Sequence, residues 1–218
     1  MENSSDEMNK KHNHKYCVII CISVFSIFIL SFLIYILIPR GKPVSLLETD
    51  TLFEVVKDGD IICRLGDRFW SQLFKDISIE DKRFSHMGII RVSDSLITVI
   101  HSEGDTGHGR DFVNEVLLED FIKIARTIGV YRINGIDGKL ISDLVIDYIG
   151  IPFDWQFDIS DESKLYCTEL LYVVLKCIKP TLELNTTFIK ELGKEVIPPE
   201  SISNSEYFSE VYYISSNK

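Results

Sequence analysis

No two cysteines stand at CxxC spacing, and no Cys/His spacing of a zinc site occurs. Five cysteines in 218 residues are too few for a disulfide scaffold, and their number is odd. Cys17 and Cys21 fall in an apolar run, which leaves Cys63, Cys167 and Cys177 for the folded part. On one helix, Cys167 and Cys177 would stand about 15 Å apart, out of bridging reach. Nothing in the sequence supports a Cys63–Cys177 bridge. Positive charge is scarce as well: 23 Lys and Arg face 33 Asp and Glu, for a net charge of −10. Setting aside Lys10, Lys11, Lys15, Arg40, Lys42, Glu2, Asp6 and Glu7 leaves 18 basic residues against 30 acidic ones. So acidic a domain, with no basic stripe interleaved with aromatics, repels phosphate backbones and excludes general nucleic-acid binding. There is no internal repeat and no low-complexity tract.

Residues 16–38, YCVIICISVFSIFILSFLIYILI, lack any charge, glycine or proline. The run is long enough to cross a hydrocarbon core of about 30 Å. It has no polar face, as a surface helix on a small domain would need. It ends in Ile-Pro-Arg-Gly, with no small-x-small cleavage site, so it reads as an uncleaved signal anchor. Lys10, Lys11 and Lys15 precede it, and Arg40 and Lys42 follow. Three basic residues against two favour a cytoplasmic N-terminus, a single pass and an extracytoplasmic folded domain. The expected organisation is a polar tail over 1–15, a transmembrane helix over 16–38, a linker over 39–55 and a folded domain over 56–218.

Within that domain, Asp58-Gly59-Asp60 reads as a turn before the strand Ile61-Ile62-Cys63-Arg64. Phe69 to Phe74 suits a helical turn. Phe84 to Val92 and Leu96 to His101 read as strands, joined by a hairpin turn at Asp94-Ser95. Gly104 to Gly109 is a polar loop. Leu117 to Ala125 and Lys139 to Ile149 have helical spacing, and Val130 to Ile133 is a further strand. Cys167 to Ile178 is a helix stopped by Lys179-Pro180. Thr181 to Gly193 is expected to be helical, and Val211 to Ile214 a closing strand. Strands cluster in the middle with helices around them, so the class is α+β.

Two groups carry nucleophile chemistry. Cys167 opens its helix, where free N–H groups and the helix dipole favour a thiolate and can receive an oxyanion. A free cysteine is more often a small buried hydrophobe, and position alone does not decide. Cys177 follows Leu170, Val173 and Val174 at helical spacing and reads as core. His86 begins a strand, and His101 ends the next. If those strands pair as a hairpin, the two rings share a face, and a second polar group can orient the first imidazole. Glu103 competes with His101 for that third position. His108, His12 and His14 read as solvated.

Five segments in this order are Asp58-Gly59-Asp60-Ile61-Ile62, Phe84-Ser85-His86-Met87-Gly88-Ile89, Val99-Ile100-His101, Gly150-Ile151-Pro152-Phe153-Asp154 and Tyr166-Cys167-Thr168-Glu169-Leu170. Together they resemble the YiiX/YebB-like branch of the permuted NlpC/P60 cysteine hydrolases, over about residues 56–178. The resemblance implies a circularly permuted papain-like α+β fold in which the histidine strands precede the cysteine helix. It also implies Cys167 as nucleophile, His86 as base and His101 as third member, with Glu103 as the alternative. A histidine at the third position also resembles the lecithin:retinol acyltransferase-like proteins. Asp154 falls on a family site motif and Tyr166 beside the nucleophile, as substrate contacts or as supports of the cysteine loop. Asp60 reads as structural.

The expectation is a membrane-anchored cysteine hydrolase that forms a thioester acyl-enzyme and cleaves an amide of the cell-wall-peptide type. It needs neither metal nor organic cofactor. Two alternatives stand beside it: a lipid-directed acyl hydrolase or acyltransferase, and a non-catalytic ligand-binding module. The partners are then a peptide or lipid acyl substrate and, through residues 16–38, a membrane.

Overall fold

The structure is a computed structural model that describes residues 3–94, 96–104, 111–190 and 192–216, without the side chains of residues 3–17 and 47. The side chains of Cys17, His12 and His14, and all of His108, lie outside that description. The chain forms two units, 1–39 and 40–218. The first is a single helix, α1 (Asn3–Leu37). Its stretch Val18–Leu37 is long and apolar enough to cross a membrane, a pattern that signal sequences share.

The second unit contains α2 (Asp50–Val55), β1 (Ile61–Gly66), α3 (Phe69–Lys75), β2 (His86–Ser93), β3 (Leu96–Glu103), β4 (Phe112–Leu117), α4 (Leu118–Ile122), β5 (Ala125–Ile133), α5 (Gly138–Leu144), α6 (Cys167–Ile178), β6 (Thr187–Ile189), β7 (Lys194–Val196), α7 (Glu200–Ser203) and β8 (Phe208–Ser215). Six strands make one antiparallel sheet in the order β4-β3-β2-β1-β5-β8. Its central strands are apolar on both faces, because both are covered. Ile61, Cys63, Met87, Ile89 and Ile100 meet α5 and α6 on one side. Ile62, Ile90, Val99, Ile128 and Val130 meet α2 and α4 on the other.

The expected linker is packed from residue 40 onward. The Arg40 N–H donates to the Asp67 carbonyl (2.5 Å), the Val44 N–H to the Ala125 carbonyl (2.7 Å), and the Ser216 hydroxyl to the Lys42 carbonyl (2.7 Å). Val44, Leu52 and Val56 are buried in the core of this unit.

Three other expectations change. Residues 181–193 are not helical but lead into the β6–β7 hairpin, where Thr187, Phe188 and Ile189 bring β-branched and aromatic residues together. The strand expected at 130–133 begins at Ala125, which leaves α4 only five residues. Cys177 is exposed, in the last turn of α6. Among the described residues, Cys21, Cys63, Cys167 and Cys177 are free thiols.

Candidate active site

Strand alternation puts His86 and Gly88 on the same side as Ile90, and His101 on the same side as Val99. The pairing of β2 with β3, Ile89 with Ile100 and Ile90 with Val99, brings these residues side by side. His86 Nε2 lies 2.9 Å from His101 Nδ1, with the rings at 84°. Gly88 makes this possible. A Cβ there would come within 2.5 Å of Val99 Cγ1, 2.9 Å of the Ile100 carbonyl oxygen and 3.0 Å of His101 Cβ.

The chain of polar groups continues. His101 Nδ1 is 3.9 Å from Glu103 Oε2, and Arg64 Nη2 donates to Glu103 Oε1 at 2.5 Å. Arg64 projects from β1 and is buried; its Nη1 donates to the Phe121 carbonyl (2.6 Å), and its guanidinium lies 4.4 Å from the centre of the Phe121 ring. Phe121, from α4, also stacks on His86 and meets His101 edge-on. Arg64 and Phe121 are functional residues that sequence reasoning missed. The available signal was a lone arginine inside a strand that is otherwise apolar.

Charge in this cluster is uneven. Burial alone would raise the Glu103 carboxyl, but the Arg64 guanidinium beside it, with His86 and His101, holds it down at about 2. Burial pushes His86 well below its usual value; Glu103 opposes that shift, and Arg64 and His101 add to it. The imidazole is therefore neutral at neutral pH. His101 and Glu103, the rival third members, both belong to the array. His101 touches His86 through Nδ1, and Glu103 approaches the same nitrogen at 3.9 Å.

Cys167 is half-buried at the first position of α6, which packs across β2 and β3. Tyr166 is the helix cap, and its N–H donates to Glu169 Oε2 at 3.3 Å. Both sides of the nucleophile are gripped. Ser102, next to His101, donates its hydroxyl to the Leu165 carbonyl (2.5 Å). The Ile197 N–H donates to Tyr166 Oη (2.8 Å), and the Thr168 hydroxyl donates to the Ile197 carbonyl (2.6 Å).

Helix position alone suggests a lowered thiol pKa. Burial wins instead and pushes the Cys167 thiol up to about 11, against opposing hydrogen bonds from the Met87 and Thr168 N–H groups. The Met87 N–H belongs to the residue next to His86, so the sulfur sits at the start of β2. The His86 imidazole and the Cys167 thiol are thus both neutral at neutral pH.

Asp154 is buried and braces its loop: it accepts from the N–H groups of Gln156 (2.8 Å) and Asp158 (2.5 Å). Tyr166 supports the helix start through Ile197. Asp60 is structural, held by two bonds from Arg132.

One cluster has the donors of a metal site. The ligand atoms of His86, His101 and Glu103 all lie within 4.8 Å of one another. Two imidazoles and an ionised carboxylate suit a divalent transition metal. Arg64 occupies one Glu103 oxygen and leaves the other.

Residues 55–217 match the family described as "permuted papain-like amidase enzyme, YaeF/YiiX, C92 family". Among solved structures, the metalloprotein yiiX from Escherichia coli O157:H7 superposes with a TM-score of 0.61 at 17% identity, covering 73% of this chain and 98% of that one. That likeness is one of fold. No curated protein sequence matches the chain. The order of histidine strands before cysteine helix agrees with the family match over three-quarters of the residues, and the chain belongs to the permuted papain-like amidases of the YaeF/YiiX type.

Proposed function

We propose that this chain is a membrane-anchored cysteine hydrolase that cleaves an amide through a thioester at Cys167. The observation that carries the reading is the sulfur lying at the Met87 N–H, next in the chain to a histidine whose Nε2 is already held by His101. The nitrogen left to take the thiol proton is His86 Nδ1. For that role His86 carries its proton on Nε2 and donates it to His101 Nδ1, so His101 is an acceptor. The Cys167 sulfur attacks the carbonyl carbon, and the Cys167 N–H receives the oxyanion. The tetrahedral intermediate collapses as His86 protonates the departing amine. Water, activated by the same imidazole, then cleaves the thioester and frees the thiol. The Glu103 carboxylate favours the imidazolium formed in between, and Arg64 keeps that carboxylate ionised.

Cell-wall-type peptides suit the amidase family. A lipid acyl substrate is the second class, in keeping with the apolar N-terminal helix and the histidine at the third position. Product analysis on muropeptides and on phospholipid vesicles separates the two. The anchor is residues 16–38, and three basic residues before it against two after it favour a domain outside the cytoplasm; a C-terminal reporter active on one side only tests that orientation. The Cys167→Ala variant should fold normally and lose turnover on whichever substrate the wild type cleaves. Retained turnover would sink the scheme.

A second reading takes its support from the His86, His101 and Glu103 donors and from the metalloprotein relative. In it, these three residues hold a divalent metal, which would supply Lewis-acid polarisation of a carbonyl. The two readings exclude each other at His86: ligation through Nε2 leaves the ring proton on Nδ1, the nitrogen that would have to take the thiol proton. Chelation that abolishes hydrolysis favours the metal; chelation that leaves or raises it favours the thiol.

A further inference from the structure

Helix α3 has no buried residue, although its sequence is Phe-Trp-Ser-Gln-Leu-Phe-Lys. Trp70 and Leu73, three residues apart and so on one helix face, are 58% and 47% exposed. The edge of that face beside Trp70 is engaged: the Phe74 ring, four residues on, lies 5.8 Å from Phe157, and Phe157 lies 5.3 Å from Tyr166, the residue before Cys167.

The start of the domain is fastened to this helix. The Arg40 N–H donates to the Asp67 carbonyl, and the Arg40 guanidinium lies 5.4 Å from the Phe69 ring centre. Chain length does the rest. The apolar run ends at Leu37, and three residues on an extended path reach at most about 11 Å. That is little more than one headgroup layer, given that headgroups add roughly 5–7 Å to each side of the hydrocarbon core. Local charge also departs from the rest of the domain. Arg68 precedes α3, Lys75 lies in its last turn and Arg40 is fastened to it, with Lys42 two residues on; Asp67 pairs with Arg68 (3.4 Å) and Asp76 with Lys82 (3.6 Å).

We infer that the Trp70–Leu73 face of α3 is a membrane-docking surface that seats the domain on the headgroup layer of an anionic bilayer. The inference rests on the anchor reading of residues 16–38. Tryptophan prefers the interface, where its ring is half-solvated. Basic residues next to a span attract anionic lipid, each worth about 1 kcal/mol. Seating α3 places the Phe74–Phe157–Tyr166 path, and with it the nucleophile, near the surface of the bilayer.

The chain holds two tryptophans, Trp70 and Trp155, which makes the test direct. The full-length protein is reconstituted into phosphatidylcholine–phosphatidylglycerol vesicles with and without bromines on the acyl chains. Subtracting the Trp70→Phe spectrum from the wild type isolates Trp70 and leaves Trp155 in place; Trp155→Phe isolates it independently. The expected result is a blue-shifted Trp70 signal that falls by about half in brominated vesicles, while Trp155 is unaffected. Alkaline washing of the vesicles reports on the anchor separately. Release at alkaline pH overturns the anchor and the docking with it. Retention with Trp70 open to aqueous acrylamide overturns the docking alone, as does shielding from acrylamide without bromolipid quenching, which would mean a protein covers the face.

Discussion

His86 Nε2 stands 2.9 Å from His101 Nδ1, with Gly88 leaving the space between them free of any side chain. Only one arrangement of protons lets His86 act as base through its other nitrogen: His86 donates and His101 accepts. His101 is then a positioning residue for the base. His101→Ala should lower kcat by about 10- to 100-fold with little change in KM, within the range removal of a proton-transfer partner spans. His101→Gln, which keeps an acceptor, should recover part of the loss. Because burial holds His86 well below its usual value, the acid limb of kcat/KM should lie below pH 6.5. A limb at or above 6.5 would contradict that environment.

Gly88→Ala tests the space itself. Its Cβ would press on the Ile100 carbonyl oxygen and Val99 Cγ1, and backbone cannot step aside. A loss of about 1–3 kcal/mol in denaturant unfolding is expected, as for an overpacked core. Wild-type stability in this variant would show that β2 and β3 lie farther apart.

Glu169 makes folding stability depend on pH. It is buried in the first turn of α6, and burial, with Asp154, Asp158 and Asp161 nearby, pushes its carboxyl up to about 8, against the Tyr166 N–H. An unfolded glutamate titrates near 4.5. Below that both states are protonated and there is no penalty. From there to about 8 the unfolded chain has lost a proton that the folded one keeps, so stability falls as pH rises, by on the order of 3 kcal/mol. Glu169→Gln should match the wild type in Tm at pH 4 and exceed it at pH 8.5. A Tm difference that stays constant with pH would argue against a buried carboxylic acid here.

Zinc offers a fourth test. Zn2+ bound by His86, His101 and Glu103 should suppress acylation of Cys167, and a chelator should restore it. Glu103→Gln should weaken the inhibition. If chelation abolishes the acylation instead, the metal reading gains and the thiol mechanism fails.

Much of this was readable from residues. The spacing Leu170, Val173, Val174 predicts α6 to the residue, and the hairpin turn at Asp94 predicts two histidines on one face. Two kinds of feature were not. Long-range packing decides them: Arg64 lies 39 residues from Glu103 in the chain and 57 from Phe121, and no local pattern joins them. Competing terms decide the others. A helix start lowers a thiol pKa and burial raises it, and only the packed structure shows that burial prevails at Cys167. Residues 181–193 differ for a related reason, since Thr187, Phe188 and Ile189 pair with Lys194 to Val196 in a hairpin.

The most direct test of the nucleophile and base is acylation by p-nitrophenyl acetate at pH 7, with the acetyl group mapped by peptide mass. Cys177, exposed and free, is the internal control. The account predicts an acetyl thioester at Cys167 that forms faster than at Cys177 and slows by about 100-fold in His86→Ala. Acetylation of Cys167 no faster than of Cys177, or at the same rate without His86, would contradict it.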